Sequence, residues 1–322
     1  MSALLEIRGL TVEFAGPPEV RAVDGVSLAV EPRERVALVG ESGSGKSQLL
    51  LACTGLLAAN GRASGSVRFD GREILGDARA AQAARGRGIG FVFQDASGSL
   101  TPHRRIGEQL AEVARAADAC LGRRAAFDAG VEMLGRVRLP EPGALASRYP
   151  HELSGGMRQR AAIALALAAK PRILFADEPT TALDVTVQAE ILALLASLCD
   201  DLGMALLIVT HDLGVVAALA DRVAVMYAGR VVEEGTAVDL LARPRHPYTA
   251  GLLAAVPRIV DRGELATIPG VPPRPGEVLA GCRFEPRCAR RADRCLADDP
   301  QLDGPPGGGV ACHFPLSTGD AP

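Results

Sequence analysis

Residues Gly40, Glu41, Ser42, Gly43, Ser44, Gly45, Lys46 and Ser47 stand in the order G-x-x-x-x-G-K-S, and few local structures can use that order. Before it, Arg35–Val39 is a short apolar run of the kind that makes a buried strand. After it, residues 48–59 are mostly good helix formers. Strand, glycine loop and helix together make a phosphate cradle. Gly43 and Gly45 let the chain turn so that successive N–H groups face phosphate oxygens, and the helix adds its positive end. Lys46 is placed to reach β- and γ-phosphates, and the Ser47 hydroxyl to ligate Mg²⁺. A nucleoside triphosphate with Mg²⁺ is the expected ligand, and the loop by itself fits kinases, GTPases and motor ATPases alike. Among 35 Lys plus Arg, the only lysines are Lys46 and Lys170. A chain that otherwise uses arginine keeps a compact point charge where a planar guanidinium fits poorly.

The 322 residues suffice for one major domain and an appendage. A net charge of −3 and 3% aromatics without Trp argue against a nucleic-acid surface. No uninterrupted apolar run approaches the roughly 20 residues that span a bilayer, and the first residues lack signal-peptide character. The expectation is a cytosolic protein that meets a membrane through a partner. Cys53, Cys120 and Cys199 lie in apolar or helical stretches and read as small core residues.

Residues 4–14 and 20–31 alternate apolar and polar positions around Gly16-Pro17-Pro18, which predicts two strands and a loop. Phe14, with Val20 as a non-aromatic alternative, is the candidate to stack an adenine; a plain sheet role fits Phe14 equally. Residues 65–71 predict a strand with a turn at Asp70-Gly71. Residues 89–94 predict a buried strand that ends in Gln94, and helical periodicity follows to about residue 150. Residues 173–177 predict a strand ending in Asp177, with Glu178 next. Asp184 is placed to cap a helix at 186–199. Residues 205–210 predict another buried strand, followed by His211, and residues 222–234 a hairpin around Ala228-Gly229. Strands alternating with helices imply a mostly parallel α/β sheet, whose ligands sit at carboxyl strand ends. Lys46, Gln94, Asp177, Glu178 and His211 all fall at or just beyond such ends.

That set can hydrolyse ATP. Ser47 and Asp177 hold Mg²⁺, Glu178 takes a proton from the attacking water, Gln94 bridges metal and water, and His211 donates to the γ-phosphate. Each residue also has a plainer reading, as loop carboxylates or a helix cap; the order and spacing favour the joint one. Ser154, Gly155 and Gly156 open a second helix, whose free N–H groups make another anion site. The phosphate loop already holds this subunit's nucleotide, so the second site suits a partner's ATP.

Leu153–Gln159 resembles the signature motif of the ABC ATPase family, and Gln94, Thr181–Asp184 and His211 resemble its Q-loop, D-loop and switch histidine. The resemblance covers about residues 4–240; Asp95-Ala96 departs from it where a proline is common. It implies an α/β, RecA-like P-loop NTPase core with an N-terminal antiparallel β subdomain and a helical insertion at about 97–165. It also implies a head-to-tail dimer in which Ser154, Gly155, Gly156 and Asp184 complete the partner's ATP site. The other ATPase subunit is expected to be a paralogue rather than a copy. Further expected partners are two transmembrane permease subunits, and the location is the cytoplasmic face of the inner membrane.

From residue 241 the composition changes. Cys282, Cys288, Cys295 and Cys312 are spaced C-x5-C-x6-C-x16-C. Structural disulfides do not suit a cytosolic chain, and zinc prefers closer pairs. A metal or iron–sulfur site and reduced free thiols stay open. His246–Leu253, Ile268–Gly270 and Gly281–Cys288 resemble the loop-rich C-terminal extension (241–322) of dipeptide/oligopeptide importer ATPases, a group that includes nickel importers. The resemblance implies peptide import with an extracytoplasmic solute-binding protein, and a 4Fe–4S cluster on the four cysteines. Nickel import is the alternative. An ABC ATPase of DNA repair or translation is the distant one, since one signature and a short insertion suit it poorly.

Overall fold

A computed structural model describes residues 3–181, 183–256, 267–274, 277, 279–305 and 307–317. The strands are β1 (Leu5–Phe14), β2 (Val20–Val30), β3 (Arg35–Val39), β4 (Gly61–Phe69), β5 (Arg72–Glu73), β6 (Ile89–Val92), β7 (Ile173–Asp177), β8 (Ala205–Thr210), β9 (Arg222–Tyr227) and β10 (Arg230–Thr236). The helices are α1 (Lys46–Thr54), α2 (Ala78–Arg87), α3 (Ala96–Ser99), α4 (Ile106–Ala117), α5 (Arg123–Arg136), α6 (Pro142–Ala146), α7 (Gly155–Leu167), α8 (Val185–Leu202), α9 (Leu213–Leu219), α10 (Ala237–Ala242), α11 (Pro247–Ala254) and α12 (Asp293–Ala297).

The alternating stretches form an antiparallel sheet, β2-β1-β4-β5, and the apolar stretches a second sheet, β10-β9-β3-β8-β7-β6. In the second, β9, β3, β8, β7 and β6 run parallel and β10 returns antiparallel. Its central strands are covered on both faces, which explains why they read as continuous hydrophobic runs. Strand periodicity sorts their side chains into two cores. Val36 and Leu38 join Leu49 of α1 and the antiparallel sheet, while Ala37 and Val39 join α4, α7 and α8 on the other side. Each such buried Leu or Val is worth about 1.5–3 kcal/mol. Together these cores hold the second sheet rigid, and its carboxyl edge with it.

Both predicted turns, Asp70-Gly71 and Ala228-Gly229, carry two consecutive positive φ angles, as a tight hairpin requires. The helix predicted over 48–59 is α1, which begins at Lys46 and stops at Thr54. Gly55 (φ 65°) ends it by directing its N–H back to the last turn. β6 stops at Val92, so Gln94 sits two residues past the strand and is exposed. The predicted cap Asp184 accepts from the Val187 N–H at 2.9 Å and opens α8, whose Ile191, Leu194, Leu195 and Leu198 are buried.

Cys120 corrects the sequence reading: it is exposed. It stands in the polar turn between α4 and α5, where Asp118 accepts its N–H and no apolar face covers it. Cys53 and Cys199 are buried. Phe14 is a half-buried strand residue paired with Val20 and Gly61, its ring against Gly61. Residues 267–274 have no regular structure, while Met1, Ser2 and Pro275 fall outside the described residues. Among the described residues, no helix is long and apolar enough to cross a membrane.

Candidate nucleotide site

Strand order brings the site together. β3 pairs β8 with Val39 opposite Thr210, β8 pairs β7 with Val209 opposite Asp177, and β7 pairs β6 with Ala176 opposite Val92. The chain therefore leaves the sheet at Gly40, His211, Glu178 and Phe93 along one edge, where ligands of parallel sheets bind.

The phosphate loop is pressed against its neighbours. A Cβ on Gly40 would lie 2.1 Å from the Met226 carbonyl, and one on Gly45 (φ 101°) 2.1 Å from the Ala22 carbonyl. Glycine is required at both for steric reasons. Lys46 is buried, and its Nζ donates to the carbonyls of Gly40 (2.7 Å) and Glu41 (2.9 Å) and to Ser44 Oγ (3.3 Å). The ammonium thus stays within the loop, aimed where phosphates would lie. Burial lowers its pKa, against the opposing pull of Glu178, Asp177 and Glu41. Ser42, Gly43 and Ser44 complete the turn, and Ser44 is buried.

Ser47 Oγ donates to Asp177 Oδ1 at 2.9 Å. A hydroxyl beside a carboxylate at this edge is a donor set suited to Mg²⁺. Burial raises the Asp177 pKa and Glu178 adds to the rise, against Ser47 and Lys46. Glu178 carries the neighbouring interactions. Its Oε2 accepts from Thr181 Oγ1 (2.9 Å) and Gln94 Nε2 (3.1 Å), and His211 Nδ1 lies 3.2 Å from Oε1. Burial opposes its charge, yet the Thr181 and His211 contacts and the Lys46 charge hold its carboxyl below the ordinary range. Its backbone adopts φ 46°, a conformation that costs a non-glycine residue about 1–3 kcal/mol. The surrounding hydrogen bonds hold it there.

Ser154, Gly155, Gly156 and Asp184 stand apart from this cluster. Ser154 caps α7, its Oγ accepting from the Met157 N–H at 3.4 Å, and Ser154, Gly155 and Asp184 are exposed. Among the described residues, no hydrogen bond or ion pair joins Ser154, Gly155 or Gly156 to the phosphate loop. Gly156 lies against Val187, and an added Cβ would be 3.0 Å from it, so the starts of α7 and α8 are neighbours. The sequence reading missed two residues at the loop. Glu41 donates its N–H to Tyr248 Oη at 2.9 Å, and its carboxylate receives two bonds from Arg287, at 2.7 and 3.0 Å. These partners lie 207 and 246 positions away, beyond the reach of any local pattern.

Cys282, Cys288, Cys295 and Cys312 line one small cavity, which they share with His246 and His313. All four are free thiols, and Cys282 donates its N–H to the Cys295 carbonyl at 2.8 Å. Burial pushes the Cys282 thiol up to about 11 and raises Cys288 and Cys312 as well. Among the described residues, no three His, Cys, Asp or Glu side chains are drawn together as a ready set for one metal ion.

A glycine cradle at the carboxyl edge of a parallel sheet, with carboxylates on the next strand but one, defines a P-loop nucleoside triphosphatase. Family comparison agrees and narrows it. The ABC transporter profile matches residues 23–181, and that of the oligopeptide/dipeptide transporter C-terminal region matches residues 232–295. The chain is 47% identical to the oligopeptide transport ATP-binding protein OppD of Salmonella typhimurium, over 98% of this chain and 95% of that one. OppD of Haemophilus influenzae is 46% identical, covering 92% of each. The dimeric ATP-binding cassette MJ0796 bound to ADP and Pi superimposes with a TM-score of 0.65 at 30% identity, covering 72% of this chain and 98% of that one. For cbiO1 of Clostridium perfringens the values are 0.65, 28%, 76% and 92%. The chain belongs to the oligopeptide/dipeptide branch of the ABC transporter ATP-binding subunits.

Proposed function

We propose that this ATPase powers import of di- or oligopeptides from the cytoplasmic face of the inner membrane. It would act with a second ATPase subunit (a paralogue), two permease subunits and an extracytoplasmic solute-binding protein. One observation supports the dimeric part: Ser154 and Gly155 at the start of α7 are exposed, and among the described residues no hydrogen bond joins Ser154, Gly155 or Gly156 to their own phosphate loop. An anion site left unused within its own chain suits a partner's γ-phosphate. The peptide cargo is supported by OppD relatives that match nearly the full chain. In this reading residues 1–240 form the ATPase domain, with a helical insertion at about 97–165, and residues 241–322 the extension.

The chain's own residues would then divide the work. Gly40–Ser47 holds the phosphates through loop amides and Lys46. Ser47, Asp177 and Gln94 would hold Mg²⁺, which when bound neutralises charge developing on the phosphoryl oxygens. Glu178 accepts a proton from water; Thr181 and His211 keep its carboxylate ionised, and Gln94 helps to aim it. His211 donates to the γ-phosphate, and Asp184 meets the partner's site. The proposal is tested in proteoliposomes with both ATPases and both permeases, where ATP-dependent uptake of labelled peptide is expected. Uptake of nickel without peptide would overturn the cargo.

For the tail we propose a 4Fe–4S cluster on Cys282, Cys288, Cys295 and Cys312. Its support is chemical: four thiols, the donor type and number of such a cluster, line one cavity, though they are not drawn together as a preformed set. The wide C-x5-C-x6-C-x16-C spacing suits zinc poorly. When bound, it would cross-link a segment with little regular structure. Protein purified without oxygen should be brown and contain about four irons per chain, and Cys288→Ser should lose both. A colourless protein with one zinc per chain would reject the cluster.

A further inference from the structure

The tail is fastened to the phosphate loop, and we infer that Tyr248 and Arg287 are positioning residues for ATP binding. This rests on Gly40–Ser47 being the nucleotide site. Three contacts converge there. The Tyr248 hydroxyl accepts the Glu41 N–H, which turns that amide away from the phosphates and pins the start of the loop. Arg287 grips the Glu41 carboxylate with two nitrogens, at 2.7 and 3.0 Å. Arg283 donates to the Ala228 carbonyl and to Asp24, while the Gly229 N–H donates to the Ser44 carbonyl at 3.0 Å.

The brace is rigid because its members are buried. Tyr248 is fully enclosed, with its ring centroid 4.6 Å from that of Tyr227 and 5.4 Å from that of Phe284. The Arg287 side chain is 4% exposed and lies over Tyr227, 5.8 Å from its ring centroid. Glu41 supplies the need for a cation. An unpaired carboxylate inside a phosphate-binding loop would repel the polyanion that the loop must hold, and a bidentate guanidinium neutralises it. Arg283 and Arg287 also sit just inside Cys282 and Cys288, so the thiol cavity and the phosphate loop share one seven-residue support.

The experiment measures ATP affinity of the full chain by titration with a fluorescent ATP analogue. Arg287→Ala should weaken binding about tenfold, because it strips a charged hydrogen-bonded pair from the loop. Adding Glu41→Gln to that variant should recover most of the loss, since the exposed charge is then gone. A merely structural arginine would show no such rescue. Wild-type affinity in Arg287→Ala, or a loss that Glu41→Gln fails to repair, overturns the inference. If Arg287→Ala does not fold, Tyr248→Phe carries the test, because it keeps the ring and removes only the acceptor. Amide exchange at residues 41–45 should then quicken about fivefold, the worth of one net hydrogen bond, and unchanged exchange overturns the inference. Failure of the wild-type chain itself to bind ATP would refute the site, not the brace.

Discussion

Replacing Glu178 with Gln should leave ATP binding intact and slow hydrolysis about 10²–10⁴-fold, the usual contribution of a general base. That range corresponds to about 2.7–5.4 kcal/mol of barrier. The glutamine side chain has the same length, so the Thr181 contact at 2.9 Å can persist while the capacity to take a proton disappears. The φ of 46° is equally costly for either residue, so folding stability should change little. The measurement pairs a nucleotide titration with single-turnover hydrolysis, and near-wild-type turnover would remove Glu178 from the role of base. The pH profile adds a sign. Because the Glu178 carboxyl is held below its ordinary value, the base stays ionised to a lower pH than an ordinary glutamate. Activity that depends on it should fall away at a lower pH than an unperturbed glutamate would give.

Ser154→Arg should separate binding from hydrolysis. Ser154 is exposed and its capping bond is long at 3.4 Å, so its loss costs α7 about 1 kcal/mol or less. Among the described residues it makes no bond to this chain's own phosphate loop, so the isolated subunit should bind ATP within about twofold of wild type, a difference of about 0.4 kcal/mol. In the assembled dimer an arginine at the start of α7 would occupy the space meant for a facing γ-phosphate. Hydrolysis should then fall by at least about a hundredfold, as on removing a main stabiliser of phosphoryl charge. Isothermal titration of the isolated subunit and phosphate release from the full complex check the two halves. If the isolated subunit loses affinity as well, Ser154 acts within its own chain.

Much of the nucleotide site is legible in the chain itself. The loop glycines, Lys46 and Ser47 are contiguous, and their steric and electrostatic demands are local. Asp177 and Glu178 are legible because the first ends an apolar run and the second follows it, and a strand end in a parallel sheet is a position as well as a boundary. Asp184 reads correctly as a cap because capping needs only three residues of context. Cys120 misleads for the same reason: a helical neighbourhood says nothing about which turn the surface claims. Nothing local marks Tyr248 or Arg287 as partners of Glu41. His246, two residues before Tyr248, is likewise tertiary in character, since full burial pushes its pKa down to about 4 and leaves it a neutral cap for α11.

By itself the sequence determined the phosphate cradle, the alternation of strands and helices and the carboxylates at strand ends, because each depends on residues a few positions apart. Tertiary structure alone decided the strand order β3-β8-β7-β6, which sets Gln94, Thr181 and His211 around one carboxylate of Glu178. It also decided that four distant cysteines share a cavity and that the tail grips the loop that opens the site. Those choices are made by burial of two hydrophobic cores whose members come from the whole chain. Such packing carries no signature at the spacing of a helix turn or a strand repeat.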